Sequence, residues 1–284
     1  MTPERRISTG FTLVELLVSM VILAIIGAAM TKLYVSQARS YDLQTQLRKA
    51  RYVSRTAVNA ALSDLRMVEA TGGMVSATSS KVVVRVPYAM GIVCANTGAL
   101  TTVALWPVDT LAYAGAGFSG YAWRDSTGVY TYVESSVTLG VGTAATCTAA
   151  GVTVLPKGTV ITVAPGMPAA IPAATAVGSP LFLFQRLTYE FKASTVLSGR
   201  TSLWRTVNAT SVASELVGPF DSTAKFRFYN LNADSAQSAV PSPITNIYGL
   251  ELDLNGQSES APEGTSSYKT AKLTTAVFFN NRVK

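Results

Sequence analysis

An uninterrupted helical pattern near the N-terminus constrains the fold of this chain more than any other feature. Residues 28–71 contain neither proline nor glycine, and Gly72 with Gly73 then forms a typical helix stop. Apolar and small residues recur at steps of three and four between Leu43 and Val68, which is the spacing of one helical face. The sequence therefore predicts one long helix, followed by a region that buries the apolar face of its second half.

The first third of this helix is apolar on all sides. Residues 11–31 carry a single charged side chain, Glu15, and Lys32 follows them directly. At about 1.5 Å per residue the run is about 30 Å long, which matches the hydrocarbon core of a bilayer. Arg5 and Arg6 precede it, so the positive-inside rule predicts a cytoplasmic N-terminus and an exported C-terminal part.

The start of the apolar run carries a specific motif. Gly10 is followed by Phe11, and Glu15 lies four residues further along. A charge in a membrane span costs about 2.5–3.5 kcal/mol on insertion scales, so it indicates a function. Residues 10–15 closely resemble the N-terminal signal of type IV prepilins and type II secretion pseudopilins. The resemblance implies cleavage by prepilin peptidase between Gly10 and Phe11, N-methylation of Phe11, and pairing of Glu15 with the Phe11 amine of a neighbouring subunit.

A conventional secretory signal is the alternative interpretation of this N-terminus. Cleavage would then follow the apolar region, where residues 27–29 (Gly-Ala-Ala) offer small side chains. That interpretation leaves the junction of Gly10 and Phe11, and also Glu15, without a function. We therefore favour the prepilin signal.

Beyond residue 73 the pattern changes to the period of two that is typical of β-strands. The segment KVVVRV (residues 81–86) predicts a strand that Pro87 ends. Residues 88–180 are rich in small residues and turn signals, which predicts an elaborated lobe of short strands and loops. Alternating residues then predict antiparallel, half-buried strands at 181–192, 201–207, 225–229, 244–254 and 270–280.

The order of these last strands resembles the minor pilin W and pseudopilin J group. The resemblance rests on Leu187-Thr188-Tyr189, Leu203-Trp204-Arg205, Phe226-Arg227-Phe228-Tyr229 and Phe278-Phe279-Asn280-Asn281-Arg282. It implies an α+β pilin fold, in which a long N-terminal helix packs on an antiparallel sheet. Major pilins are usually shorter and often have a proline in the membrane half of the helix, so the 284-residue chain is more similar to a minor component.

The domain organisation predicted from these segments has four parts. They are a leader (residues 1–10), a membrane and assembly helix (11–31), an amphipathic continuation of the helix (32–72), and a β-rich head domain (73–284) that contains the elaborated lobe (88–180).

Composition excludes several kinds of chemistry. The chain has no histidine, which removes His-based triads, metal sites and proton shuttles, and we expect neither enzymatic activity nor a cofactor. Cys94 and Cys147 are the two cysteines, and in an exported domain a disulfide between them is the leading interpretation, with two unpaired core thiols as the alternative. Residues 253–259 space oxygen atoms somewhat like a calcium loop. We favour a simple Asn255-Gly256 turn there and predict no metal.

The net charge of +7 permits contact with acidic polymers. Its densest cluster contains Arg48, Lys49, Arg51 and Arg55, which we interpret mainly as a solvated helix face or subunit contact, with nucleic acid as the alternative. The resemblance implies a single-pass inner-membrane protein that reaches the pilus tip or fibre at the cell surface. Its implied partners are prepilin peptidase, other minor pilins, the major pilin and the inner-membrane assembly platform. A second hypothesis, an adhesin or DNA-capturing tip subunit, adds DNA or a surface ligand at the head domain.

Overall fold

The computed structural model describes residues 12–279 except 114, 126–127, 135, 169–170, 172–175, 231–232 and 234. A helix of 53 residues, α1 (Leu13–Leu65), leads into a large antiparallel sheet. The predicted α+β class is therefore confirmed. Two short helices, α2 (Pro107–Ala112) and α3 (Ala144–Ala149), and a 3-10 turn (Ile244–Asn246) lie between the strands.

The described residues form 13 strands of one sheet. Their bounds are β1 Met74–Ala77, β2 Lys81–Asn96, β3 Thr101–Leu105, β4 Phe118–Arg124, β5 Tyr130–Val133, β6 Thr138–Val141, β7 Val160–Ala164, β8 Pro180–Ala193, β9 Thr201–Val207, β10 Val212–Phe220, β11 Lys225–Asn230, β12 Ile247–Gln257 and β13 Thr270–Phe278. The main strand order is β11-β12-β10-β9-β8-β2-β3-β7-β6, with β13 beside β12, β1 beside β2, and β4 between β8 and β5.

Helix α1 ends at Leu65, earlier than the stop predicted at Gly72 and Gly73. Val68, three residues beyond this end, is fully buried in the same core as Leu65. Gly72 has a φ of +77°, and a Cβ on Gly73 would lie 2.2 Å from the carbonyl oxygen of Glu69. The two glycines therefore close the turn into β1 rather than cap the helix.

The strand predicted to end before Pro87 continues through it to Asn96, so that boundary was wrong. The N–H of Arg85 donates to the carbonyl oxygen of Gly73, and the nitrogen of Pro87 points to the same side two residues later. On that side β1 pairs with Val82–Val84 and β3 pairs from Gly91 onward, so no described strand pairs with β2 there at Pro87. The register with β8 also shifts between Pro87 and Ala89. Proline is tolerated here because no N–H is required of it.

The second half of α1 packs on the strands that follow the lobe. Four helix side chains on its buried face, Ala50, Ala57, Ala61 and Leu65, are fully buried. Ala57, Ala61 and Leu65 share one core with the inward side chains of β11 and β12, which include Phe226, Phe228, Leu250 and Leu252. Ala50 lies beside Gly256 of β12. Three small alanines along one face let the helix lie close to the sheet, and this contact forms the larger core.

The Asn255-Gly256 pair lies inside β12, so the predicted turn at this point was wrong. A Cβ on Gly256 would lie 2.3 Å from the carbonyl oxygen of Ala50, and the N–H of Gly256 donates to Ser54 Oγ at 3.1 Å. Glycine is therefore required because the backbone of β12 crosses α1 at very short range.

A polar cluster also fixes the end of α1 on the sheet. Asp64 accepts hydrogen bonds from the hydroxyl of Tyr189 at 2.5 Å and from Nε of Arg205 at 3.0 Å. Burial of Tyr189 and the adjacent Asp64 carboxylate raise the pKa of this phenol. The helix end is thus joined to both β8 and β9.

A second core lies in the lobe and contains no residue of α1. It forms between the distal half of β2, the first half of β8 and strands β3, β4 and β7, with Tyr121, Leu181 and Leu183 fully buried. Strands β2 and β8 run through both cores and connect them in one sheet. Beside this core, Cys94 on β2 and Cys147 on α3 form a disulfide bond.

Candidate functional site

The N-terminal half of α1 has no covering layer in the described chain. Every residue from 12 to 41 is exposed, and most of the side chains as far as residue 35 are apolar. Exposed apolar patches of more than a few hundred Å² on soluble proteins mark surfaces that another molecule covers. This half of the helix therefore needs a lipid environment or neighbouring chains.

The same segment is suited to a bilayer. Within the described residues, α1 is the one helix long and apolar enough to cross a membrane. The hydroxyl groups of residues 13–31 are bonded inside the helix, because Ser19 Oγ donates to the carbonyl oxygen of Glu15 at 2.7 Å and Thr31 Oγ1 donates to that of Gly27 at 2.8 Å. No polar group of these side chains needs water, which a hydrocarbon environment would not supply.

Glu15 belongs to a capping box at the start of α1. The N–H of Glu15 donates to Thr12 Oγ1 at 3.3 Å, and the N–H of Thr12 donates to Glu15 Oε2 at 3.0 Å. The Thr12 hydroxyl also donates to Oε2 at 2.9 Å. The carboxylate therefore stabilises the first turn of its own helix through one oxygen.

Sequence reasoning missed this capping role, although the Thr-x-x-Glu signal that predicts it is present in residues 12–15. Glu15 Oε1 accepts no hydrogen bond from any residue that the structure describes. One carboxylate oxygen is thus available to a group outside the described chain. The other two residues of the predicted signal, Gly10 and Phe11, lie outside the described residues.

Comparison with protein families identifies this segment. Residues 5–31 match the model of the prokaryotic N-terminal methylation motif. The chain carries a prepilin-type methylation motif. The match includes residues 5–10 and the apolar part of α1 as far as residue 31, and it favours the prepilin signal over the secretory signal considered above. Comparison with curated proteins and with solved structures gave no significant match.

The motif and the fold agree with each other. A prepilin-type N-terminus followed by a long helix and an antiparallel sheet is consistent with a type IV pilin-like protein. The apolar helix and the motif together are consistent with membrane anchoring.

The segment with calcium-like spacing does not form a loop. Asp253 and Asn255 lie in the extended strand β12, where Asp253 pairs with Lys272 at 3.4 Å and Asn255 donates to Asp221 at 2.5 Å. Their oxygen atoms are spread along a strand rather than gathered around one point. Among the described residues, no group of three or more His, Cys, Asp or Glu side chains could hold a metal ion.

Proposed function

We propose that this protein is a minor pilin of the W type, which primes assembly of a type IV pilus or caps its tip. One observation carries the proposal: the methylation motif leads directly into a helix half whose apolar side chains have no partner in the described chain. Prepilin peptidase would remove residues 1–10, and Phe11 would become the methylated N-terminus. The exposed half of α1 would then leave the bilayer and pack against the helices of other subunits.

The charge chemistry of assembly follows from Glu15. Cleavage at Gly10 creates a positively charged amine on Phe11, and the second oxygen of Glu15 in a neighbouring subunit would accept it. In a medium of low dielectric constant, pairing of the two charges offsets much of the desolvation cost of each. The capping box holds the Glu15 side chain at the helix start, so little side-chain entropy remains to be lost on pairing.

The proposed partners are prepilin peptidase, the other minor pilins, the major pilin and the inner-membrane assembly platform. The chain would be a substrate of the peptidase and would itself have no catalytic activity and no cofactor. The head domain would face the periplasm first and the cell surface after assembly. A minor pseudopilin J of type II secretion would carry the same signal and helix, and a role in adhesion or DNA uptake at the tip would add to the structural role.

The first experiment is N-terminal sequencing and intact mass of the protein recovered from membranes and from sheared surface fibres. The proposal expects a chain that starts at Phe11 with one extra methyl group and is present in the fibres. A mature chain that remains in the membrane of a secreting cell, absent from fibres, would support the pseudopilin instead. A start near Met30 or an uncut Met1 would contradict both.

A pair of variants separates the two roles of Glu15. Glu15→Gln keeps the capping box, because glutamine also serves at this position, but it loses the charge. Glu15→Ala loses both. We expect prepilin peptidase to process each variant like the native chain. The amount of each variant in fibres should fall at least about tenfold, because a lost charge pair worth more than about 1.4 kcal/mol corresponds to that factor. Normal incorporation of Glu15→Gln would contradict charge pairing and leave only the capping role.

A further inference from the structure

The proposed assembly role makes no use of the three arginines on the second half of α1. Arg48, Arg51 and Arg55 follow one another at steps of three and four residues, so neighbouring Cβ atoms lie about 5–6 Å apart. All three side chains are exposed. None of them forms an ion pair with another described residue. They form a ladder of guanidinium groups without counter-charges.

The ladder borders an open groove of about 510 Å³ between α1 and the end of β12. We call it the arginine groove, and its lining includes Arg48, Arg51, Arg55, Tyr52, Gln257 and Glu259. The Tyr52 ring lies between the arginines in sequence and is 70% exposed. The groove therefore combines a line of positive charge with one accessible aromatic face.

The acidic side chain in the groove does not neutralise the ladder. Glu259 lies 4.0 Å from the ammonium group of Lys49, which is also in the groove lining, and this pair has no net charge. Among the described lining residues, the three arginines thus remain as a surplus of three positive charges. Such a surplus attracts a ligand with several regularly spaced negative charges.

The position of the groove excludes lipid phosphates as that ligand. Lys32 marks the end of the apolar run, and Arg48 lies 16 residues further along the same helix. At about 1.5 Å per residue this separation is about 24 Å, which is about three Debye lengths at physiological salt. The head groups of a bilayer that holds residues 13–31 are therefore too far away.

The side chains that line the groove also argue against an acidic protein surface as its ligand. Specific protein interfaces need an apolar core, and among the described lining residues Tyr52 is the single large apolar side chain with substantial exposure. Arginine, in contrast, forms paired hydrogen bonds to phosphate, and an aromatic ring stacks on any base.

We infer that the arginine groove binds single-stranded nucleic acid, with Arg48, Arg51 and Arg55 on successive phosphates and the Tyr52 ring stacked on a base. This inference goes beyond the proposed assembly role. Binding by the isolated, detergent-solubilised chain requires neither processing nor a filament. Failure of the binding test would therefore leave the assembly proposal intact. A positive binding test would likewise not depend on whether the assembly proposal is correct.

The test measures binding of a fluorescent oligothymidine to the full chain in a zwitterionic detergent. With three phosphate contacts on a single strand, the logarithm of the binding constant should fall with the logarithm of salt concentration at a slope of about −2. Affinity should thus decrease about twentyfold between 50 and 200 mM salt. No binding at 50 mM salt would overturn the inference.

A matched pair of triple variants tests the location. Arg48→Gln, Arg51→Gln and Arg55→Gln together should weaken binding at least about tenfold and bring the salt slope close to zero. The control removes three other exposed charges by Arg66→Gln, Lys81→Gln and Lys157→Gln, and it should bind like the native chain. Equal losses in both variants would show a diffuse charge effect and overturn the assignment to the groove.

Two further comparisons test the chemistry. Tyr52→Ala should weaken binding about tenfold, whereas Tyr52→Phe should keep it, because stacking needs the ring and not the hydroxyl. A poly-glutamate peptide should not displace the oligonucleotide at equal charge concentration. Displacement by that peptide would identify a general site for acidic chains and contradict nucleic-acid recognition. Normal binding by both Tyr52 variants would do the same.

Discussion

The two halves of α1 form one continuous helix, yet they satisfy their apolar side chains in opposite ways. Residues 13–41 are exposed throughout, whereas Ala50, Ala57, Ala61 and Leu65 in the second half are fully buried against the sheet. Within the first half, residues 16–31 are apolar on all sides apart from small hydroxyl groups, whereas the second half is apolar on one face only. A helix that is apolar all round needs a surrounding apolar medium, whereas an amphipathic helix needs only one partner surface. The second half of the helix therefore stabilises the head domain. The first half remains available for interactions outside the described chain.

The largest expected effect comes from two matched leucines. Leu65→Ala should lower the free energy of unfolding of the head domain by about 2–5 kcal/mol, because Leu65 is fully buried and its removal leaves a cavity. Leu17→Ala should change it by less than about 0.5 kcal/mol, because Leu17 is 57% exposed. Urea unfolding in detergent, followed by tryptophan fluorescence, measures both. Similar losses in the two variants would show that the first half also supports the head domain.

Two glycines test the same contrast at the backbone. Gly256→Ala should cost about 1–3 kcal/mol, because its Cβ would meet the carbonyl oxygen of Ala50 and force α1 away from β12. Gly27→Ala should change head stability by less than about 0.5 kcal/mol, because no atom lies within 4 Å of its Cβ position. Thermal unfolding monitored by circular dichroism compares them. A Gly256→Ala variant as stable as the native chain would contradict the close approach of α1 to β12 at this position.

A smaller effect is expected at the polar cluster that holds the end of α1. Asp64→Asn should cost about 1–2 kcal/mol, because the charged hydrogen bonds from Tyr189 and Arg205 are weakened. The control is Glu190→Gln, which removes a carboxylate at 3.9 Å from Lys192 on the sheet surface and should cost less than about 0.5 kcal/mol. Urea midpoints of the two variants give the comparison. Equal urea midpoints for the two variants would contradict a role of this polar cluster in holding α1 on the sheet.

The smallest effect is expected at the boundary between the two halves. Hydrogen bonds from the Glu263 N–H and from Gln46 lower the pKa of Asp42. A carboxyl group with a lowered folded-state pKa stabilises the fold above its unfolded pKa of about 4, and this contribution is lost as the pH falls through the folded pKa. The stability difference between the native chain and Asp42→Asn should therefore be present at pH 7 and disappear in acid. A difference that is the same from pH 7 to pH 2 would contradict this role.

Several elements of the fold could be predicted from the sequence because their signals are local. The strand predicted at residues 181–192 forms β8, in which Tyr189 and Phe191 are both buried, and strand β9 has the predicted bounds Thr201–Val207. Strand β10 (Val212–Phe220) was missed, because most of its residues are at least partly exposed and Gly218-Pro219 resembles a break. At the candidate site, the prepilin motif was recognisable from three residues and their spacing. The capping bonds of Glu15 were overlooked despite a readable signal.

The sequence by itself determined the features that depend on neighbouring residues along the chain. The long helix, its change from apolar to amphipathic character and the N-terminal motif all follow from local pattern. Tertiary structure decided the features that depend on what lies across the fold. Pro87 remains within a strand because no described strand pairs with β2 on the side to which its nitrogen points. Asn255-Gly256 remains extended because α1 crosses Gly256 too closely for a side chain. Both outcomes depend on backbone contacts between distant segments, which no local pattern encodes.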